Sequence, residues 1–363
     1  MSRPIHAIID LDALRHNLDV ARRHAGKACI WSVVKANAYG HGLLRVARAL
    51  AELADGVALI ELPGAIALRE AGLRQPILLL EGYYSADELQ LFAAHQLTPV
   101  LHSLEQVAML AAAVLPVPLP VYLKLNTGMN RLGLNQDEFR AALEVLESSA
   151  QVASITLMTH FADADSGHDG RGIVEQMMRL DTLREEFHVQ QYPLSLANSA
   201  ALLRFPESQG DWVRPGIMLY GSSPFPELRS AEALDLRAVM TLRSELIAVR
   251  DLQAGERIGY GGTFEAPAPM RIGVVACGYA DGYPRQAPTG TPVLVGGQRA
   301  RTLGRVSMDK LCVDLEGFPE AGVGTQVVLW GKGLSADEVA AAAGTISYEL
   351  FCALAARVPV VEV

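Results

Sequence analysis

The sequence predicts an α/β protein: an N-terminal (β/α)8 barrel followed by a C-terminal, mainly β domain. Three observations carry that reading. Short apolar runs alternate with helix-length segments from residue 29 to about 221. The runs number eight, the count that closes a (β/α) barrel. From residue 237 the chain becomes rich in Gly and Pro, with only short β-prone pieces. A length of 363 residues suits about two domains.

The eight runs are "CIWSVVKA", "GVALI", "PILLLEG", "TPVLH", "VYLKLNTG", "ITLMTHF", "YPLSLANS" and "IMLYG". Most of the segments between them have helical spacing, such as "LLRVARALAEL", "PGAIALREAG", "ADELQLFAAH" and "LEQVAMLAAAV". Strand-then-helix alternation implies parallel strands joined by helical crossovers. A doubly wound open sheet is the rival, but no G-x-G-x-x-G follows the first strand. Beyond "MTLRSELIAVRDL" come "MRIGVVACGY", "TPVLVGG", "LCVDLEG" and "TQVVLWG", separated by turn residues. The boundary falls near residues 225–240, giving a barrel over 1–234 and a β domain over 235–363.

Composition narrows the function classes. The balance of 31 basic against 40 acidic residues, net charge −9, disfavours nucleic acid and anionic membrane as partners. No apolar run could span a bilayer. The opening "MSRPIHAIIDLDALRHN" has no basic start followed by an apolar core, so a cytoplasmic protein is expected. Cys29, Cys277, Cys312 and Cys352 are scattered with no C-x-x-C pair, which fits reduced, mostly buried thiols.

A barrel carries its active site at the C-terminal ends of its strands. Lys35 ends the first run; Lys124 lies in the fifth, with Arg131 just beyond; His160 ends the sixth; Asn198 and Ser199 end the seventh; Arg214 and Gly216 open the eighth. These residues should converge on one mouth. Barrels commonly bind phosphate in the loops after strands seven and eight. "ANSA" offers a hydroxyl and backbone N–H groups there, and "RPGI" a glycine that admits an anion close to the backbone. A phosphate on that side with a lysine across the mouth suggests pyridoxal phosphate, whose aldehyde condenses with a lysine amine.

The motifs at these positions resemble those of the alanine racemases, fold-type III pyridoxal phosphate enzymes. "VVKANAYGHG" looks like the family's cofactor-lysine signature. "LKLNTGMNRLG", "THFADAD", "WVRPGIMLYG", "IGYGGTF", "CGYADGYPR" and "GRVSMD" match further blocks in the same order, over essentially the whole chain. The resemblance implies that Lys35 carries the cofactor and acts as one base. It puts Tyr39, Ser199, Gly216, Ile217 and Tyr348 on the phosphate side, with Asn198 beside them. It sets Arg214 against the pyridine nitrogen, and Arg131 at the cofactor hydroxyl and the substrate carboxylate. Tyr260, the second base, and Met308, whose backbone binds substrate, would come from the other subunit of a homodimer. Tyr279, Arg285, Arg305 and Tyr348 would narrow the entrance in favour of a small side chain. Asn126, Asn130 and Ser307 depart from residues found in other members, so no reactive thiol is expected at 307.

The chemistry suits these residue types. Racemisation removes the α-proton and returns it on the other face, which two opposed bases do more easily than one. Tyrosine, with an ordinary pKa of about 10, needs help to act as a base; the resemblance implies His160 beside Tyr260 and Arg214 behind His160. Arginine cannot readily accept a proton, so it keeps the pyridine ring a weaker electron sink than an acid would, which disfavours transamination. In "VYLKLNTG", Tyr122, Lys124 and Asn126 share one face, the one opposite Val121, Leu123 and Leu125, so Lys124 should point into the barrel. Two cations, Lys124 and Arg131, would repel there; the resemblance suggests a carbamate, N6-carboxylysine, at Lys124 that pairs with Arg131, the alternative being a neutral or water-bridged amine. His160, Asp163, Asp165, His168 and Asp169 in "THFADADSGHDG" fit no standard zinc or calcium spacing, so a polar loop and no metal are expected. The rival functions are a racemase of serine or another small amino acid, a basic amino-acid decarboxylase whose motif order fits poorly, and a pyridoxal phosphate carrier, which would not need the second domain.

Overall fold

The computed structural model describes residues 3–166 and 171–363. His168 and Asp169 lie outside the described residues. Eight strands close a barrel: β2 (Cys29–Val33), β3 (Gly56–Leu59), β4 (Ile77–Leu79), β5 (Leu97–Leu101), β6 (Leu119–Lys124), β7 (Val152–Met158), β8 (Leu194–Asn198) and β9 (Trp212–Arg214). All neighbouring pairs are parallel, and β2 pairs with β9 to complete the ring. Most of these strands read as continuous apolar runs because helices cover the outside while side chains fill the inside; every residue of β3, β4 and β5 is buried.

An aromatic group fills part of the interior and shows which faces point inward. Trp31 stacks on Trp212 at 4.4 Å, and its Nε1 donates to the Tyr122 hydroxyl at 2.9 Å. Strands β2 and β6 are not neighbours, so this bond crosses the barrel. Tyr122 therefore points inward, and so does Lys124 two residues on.

Two elements differ from the sequence reading. The eighth strand is Trp212–Arg214, and the expected strand "IMLY" is a 3-10 turn, Ile217–Tyr220. Pro215 lacks an N–H to extend the ladder, and Gly216 leaves the extended region at φ −120°, ψ −90°. Arg214 thus closes the strand instead of opening it. The second difference is β1 (His6–Ile9), which the division at 234/235 assigned to the barrel. It pairs instead with strands of the second half: antiparallel to β10 (Met240–Leu252) and, at the outer edge, parallel to a strand over Val360–Glu362.

In that second half β10 is followed by a small hairpin, β11 (Arg257–Ile258) and β12 (Phe264–Glu265), with Tyr260 at its tip. Then come β13 (Met270–Val275), β14 (Pro292–Val295), β15 (Gln298–Leu303), β16 (Leu311–Asp314), β17 (Gln326–Trp330) and β18 (Val360–Glu362). Strand β10 pairs along its first part with β17 and along its second with β13, closing six strands into a ring. Helix Ser347–Cys352 reaches back to the barrel and carries Tyr348. Among the cysteines only Cys277 is fully buried; Cys352 is exposed, contrary to the expectation of mostly buried thiols. Among the described residues no helix is long and apolar enough to cross a membrane.

Candidate active site

The chain after β2 does something unusual. Ala36, Asn37, Ala38 and Tyr39 all have φ between 51° and 55°, forming a left-handed turn directly behind Lys35. Left-handed backbone costs L-residues roughly 1–2 kcal/mol each, so its surroundings must hold it. His41, fully buried, donates from Nδ1 to the carbonyls of Tyr39 at 2.8 Å and Ala38 at 3.1 Å. Asn37 Oδ1 accepts from the Leu43 N–H at 2.8 Å. Gly40 lets the carbonyl of Phe351 in close, since a Cβ there would lie 2.0 Å from that oxygen. The turn lays the Tyr39 ring on Tyr220 at 4.7 Å and near Tyr348 at 6.0 Å.

Lys35 opens onto a cavity of about 290 Å³ at the C-terminal mouth of the barrel. Lys124, Arg131 and Arg214 line it with Lys35, against the carboxylates Glu81 and Asp165. Burial, then Arg131, pulls the Lys35 ammonium below its ordinary pKa. Burial, then Arg214 and Arg131, brings Lys124, 6% exposed, down to about 8. Both ammonium groups therefore lose their protons more easily than a solvated lysine does.

Arg214 is 4% exposed and fully engaged. Its Nη1 donates to Ser195 Oγ at 2.8 Å, and its Nη2 donates to the carbonyls of Thr159 at 2.7 Å and Leu196 at 2.9 Å. The same Nη2, whose two hydrogens serve those carbonyls, lies 3.3 Å from His160 Nδ1. Burial, then the charge of Arg214, keeps His160 neutral by lowering its pKa well below the ordinary value. Opposite this cationic wall, the Gly216 N–H donates to Ser199 Oγ at 2.8 Å, and a Cβ at 216 would lie 2.4 Å from the Tyr39 hydroxyl. Only glycine leaves that cradle open. A pocket of two arginines, two lysines whose ammonium groups are lowered in pKa, and a hydroxyl-and-backbone cradle fits an anionic aldehyde such as pyridoxal phosphate.

Family models of the alanine racemase N-terminal domain and C-terminal domain match residues 9–224 and 239–362. The alanine racemase of Nitrosomonas eutropha is 54% identical over 363 residues, covering all of both chains. The catabolic alanine racemase of Klebsiella aerogenes is 52% identical, with 99% of each chain covered. The crystal structure of the biosynthetic alanine racemase from Pseudomonas aeruginosa superposes with a TM-score of 0.94 at 47% identity, over the whole of both chains. The chain belongs to the alanine racemase family. It is an enzyme that interconverts the two enantiomers of alanine.

Against that identity, the placement of the expected residues divides cleanly. Lys35, Tyr39, Lys124, Arg131, His160, Asn198, Ser199, Arg214, Gly216, Ile217 and Tyr348 all line the one cavity. Tyr260, Tyr279, Arg285, Arg305 and Met308 do not. Tyr260 is 74% exposed and Met308 53% exposed on their own chain. The cavity also takes in Glu81 and Leu132, which the sequence reading passed over, and Asp165, considered there only as a metal ligand. Glu81 follows "LLL" at the end of the third barrel strand, so the same strand-end rule that found Lys35 would have found it. Among the described residues no cluster of His, Cys, Asp or Glu is placed to hold a metal ion.

Proposed function

We propose that this racemase works with pyridoxal 5'-phosphate held at Lys35 and with two opposed bases, Lys35 and Tyr260, in a homodimer whose sites are shared. The observation that carries the reading is Arg214: a buried guanidinium with both terminal nitrogens engaged, facing a cavity that also holds an unusually acidic lysine ammonium. The cofactor would withdraw electron density from the substrate's α-carbon. Ser199, Gly216, Ile217, Tyr39 and Tyr348 would hold its phosphate, with Asn198 supporting the loop by accepting from the Ala201 N–H at 2.9 Å.

The chain's own residues then do the rest. Arg131 binds the substrate carboxylate, and the Met308 backbone of the second subunit closes over it. Lys35 Nζ takes the α-proton of one enantiomer, and Tyr260 Oη delivers one to the opposite face; the reverse reaction exchanges the roles. Neutral His160, held against the Arg214 guanidinium, would lower the cost of ionising the tyrosine. Lys124 as N6-carboxylysine would turn a repelling cation into a partner for Arg131. Exposure of Tyr260 supports its use on a second subunit, and likeness to both a biosynthetic and a catabolic racemase supports a role in D-alanine supply for peptidoglycan or in alanine catabolism. We place the enzyme in the cytoplasm.

The test is incubation with L-alanine in deuterated water, with and without added pyridoxal phosphate. Equal L and D with α-deuterium, and an absorbance band lost in the Lys35→Ala protein, is the expected result. Exchange without inversion would remove Tyr260 from the mechanism. Comparison of alanine with serine measures how narrow the entrance is.

A further inference from the structure

Beside the exposed Tyr279 and Met308 lies a charged cluster that plays no part in the cavity. Asp281 is completely buried. Arg3 donates to it from both ends of its guanidinium, Nη1 to Oδ1 at 2.7 Å and Nη2 to Oδ2 at 2.9 Å. Arg357 Nε adds a bond of 2.8 Å and the Gly278 N–H one of 2.9 Å. Arg3 Nη2 also reaches the Asp309 carbonyl at 3.0 Å, and Arg357 Nη2 the Asp309 carboxylate at 2.6 Å. Two distant segments, at Arg3 and Arg357, meet on the carboxylate of this loop, and both also hold Asp309. Burial by itself would raise its pKa, but the donors from Arg3, Gly278 and Arg357 outweigh that and hold it below the ordinary value.

A buried ion cluster is a poor device for stability alone, because well-packed apolar groups do as well without the desolvation penalty. What this one does is fix geometry. The Tyr279 N–H donates to the Ser307 carbonyl at 3.1 Å and the Ala280 N–H to the Met308 carbonyl at 3.0 Å. A Cβ at Gly278 would lie 2.3 Å from the Ser307 carbonyl, so the two loops touch backbone to backbone. Asp281 locks one loop and, through both arginines, Asp309 of the other. The side chains of Tyr279 and Met308 project outward from this locked base, 37% and 53% exposed.

We propose that Asp281 is a positioning residue that acts on the other subunit's active site, setting the Tyr279 and Met308 loops through Arg3, Arg357 and Asp309. The inference rests on the shared-site reading above. Loops set about 1 Å wrong can cost up to about a hundredfold in a reaction whose groups must be aligned, and here the loss falls on substrate capture.

The test uses hybrid dimers with a single working site, made by mixing differently tagged Lys35→Ala and Tyr260→Phe proteins. That site takes Lys35 from the Tyr260→Phe subunit and Tyr260, Met308 and Tyr279 from the Lys35→Ala subunit. Asp281→Asn on the Lys35→Ala subunit should lower kcat/KM roughly tenfold, mainly through KM. The same change on the Tyr260→Phe subunit should leave it within about twofold. Equal losses in both placements, or none in either, overturn the proposal, since a purely structural role has no preference for a subunit. A proven heterodimer of the two parents without activity overturns the shared site itself, and the inference with it. If Asp281→Asn does not yield dimer, Asp309→Asn, at the solvent side of the cluster, goes through the same two placements with a smaller loss in the same direction expected.

Discussion

The barrel mouth and the outer face of the β domain treat the expected chemistry oppositely. In the barrel, residues from seven of the eight strand ends and their loops are drawn into one closed space, and their ionisation is set by burial and by each other. On the β domain, Tyr260 and Met308 stand in the open, Tyr260 in a hairpin loop and Met308 held by its carbonyl alone. A closed parallel barrel forces convergence by topology. Loops of the antiparallel sheet carry these side chains outward, away from the barrel cavity.

The sharpest break in that comparison would be to remove the exposed partner alone. Tyr260→Phe should lower racemisation by about a thousandfold while leaving cofactor binding intact, as read by absorbance and chiral chromatography. Next comes the buried wall. Arg214→Glu places a proton-accepting group against the cavity and should cost roughly 10- to 100-fold in rate while producing pyruvate by transamination, measured with a coupled dehydrogenase. An unaltered rate with no pyruvate would mean that Arg214 only supports His160.

Smaller effects separate the two regions by pH. The folded pKa of the free Lys124 amine, about 8, lies below the ordinary 10.5. The unfolded chain therefore binds more protons between those values, and folding stability should rise with pH across pH 8 to 10.5, a rise absent in Lys124→Met. Only the neutral amine adds carbon dioxide, so removing carbon dioxide below pH 8 should lower activity about tenfold, with bicarbonate restoring it. Mass spectrometry finding an unmodified lysine under bicarbonate would remove the carbamate. Smallest is His41, lowered to about 4 by burial despite its backbone hydrogen bonds. The unfolded chain takes up its proton first as pH falls from 6.5 toward 4, so stability is lost there, by up to about 3 kcal/mol. His41→Asn, which can still donate to a carbonyl, should blunt this loss in urea titrations while keeping more activity than His41→Leu.

How much of this was legible depended on how local the cause was. The strands from Cys29 to Asn198 announced themselves because burial on both faces makes an unbroken apolar run. The run at Ile217–Tyr220 satisfied the same rule and is a buried turn; the decisive signal was the Pro215–Gly216 pair in front of it. The left-handed turn left only a faint trace, since Ala36 and Ala38 are ordinary helix formers and what holds the turn comes from His41, Asn37 and a helix more than 300 residues away. The site residues at strand ends could be read from position alone, but Tyr260, Met308, Tyr279, Arg285 and Arg305 are marked only by likeness to a family. Spacing says nothing about side chains that stand open on a surface loop.

Strand β1 carries a consequence for how the molecule is made. Its two hydrogen-bonding neighbours, β10 and β18, begin at residues 240 and 360. On the ribosome, the barrel strands that lie between β1 and β10 all emerge while this first apolar strand still has no neighbour to pair with. For that interval His6–Ile9 is an open edge, able to recruit another strand. Its last neighbour follows only at residue 360, so a nascent chain stalled short of that point would present a finished barrel with a sticky strand, and such chains should be the ones that chaperones hold longest.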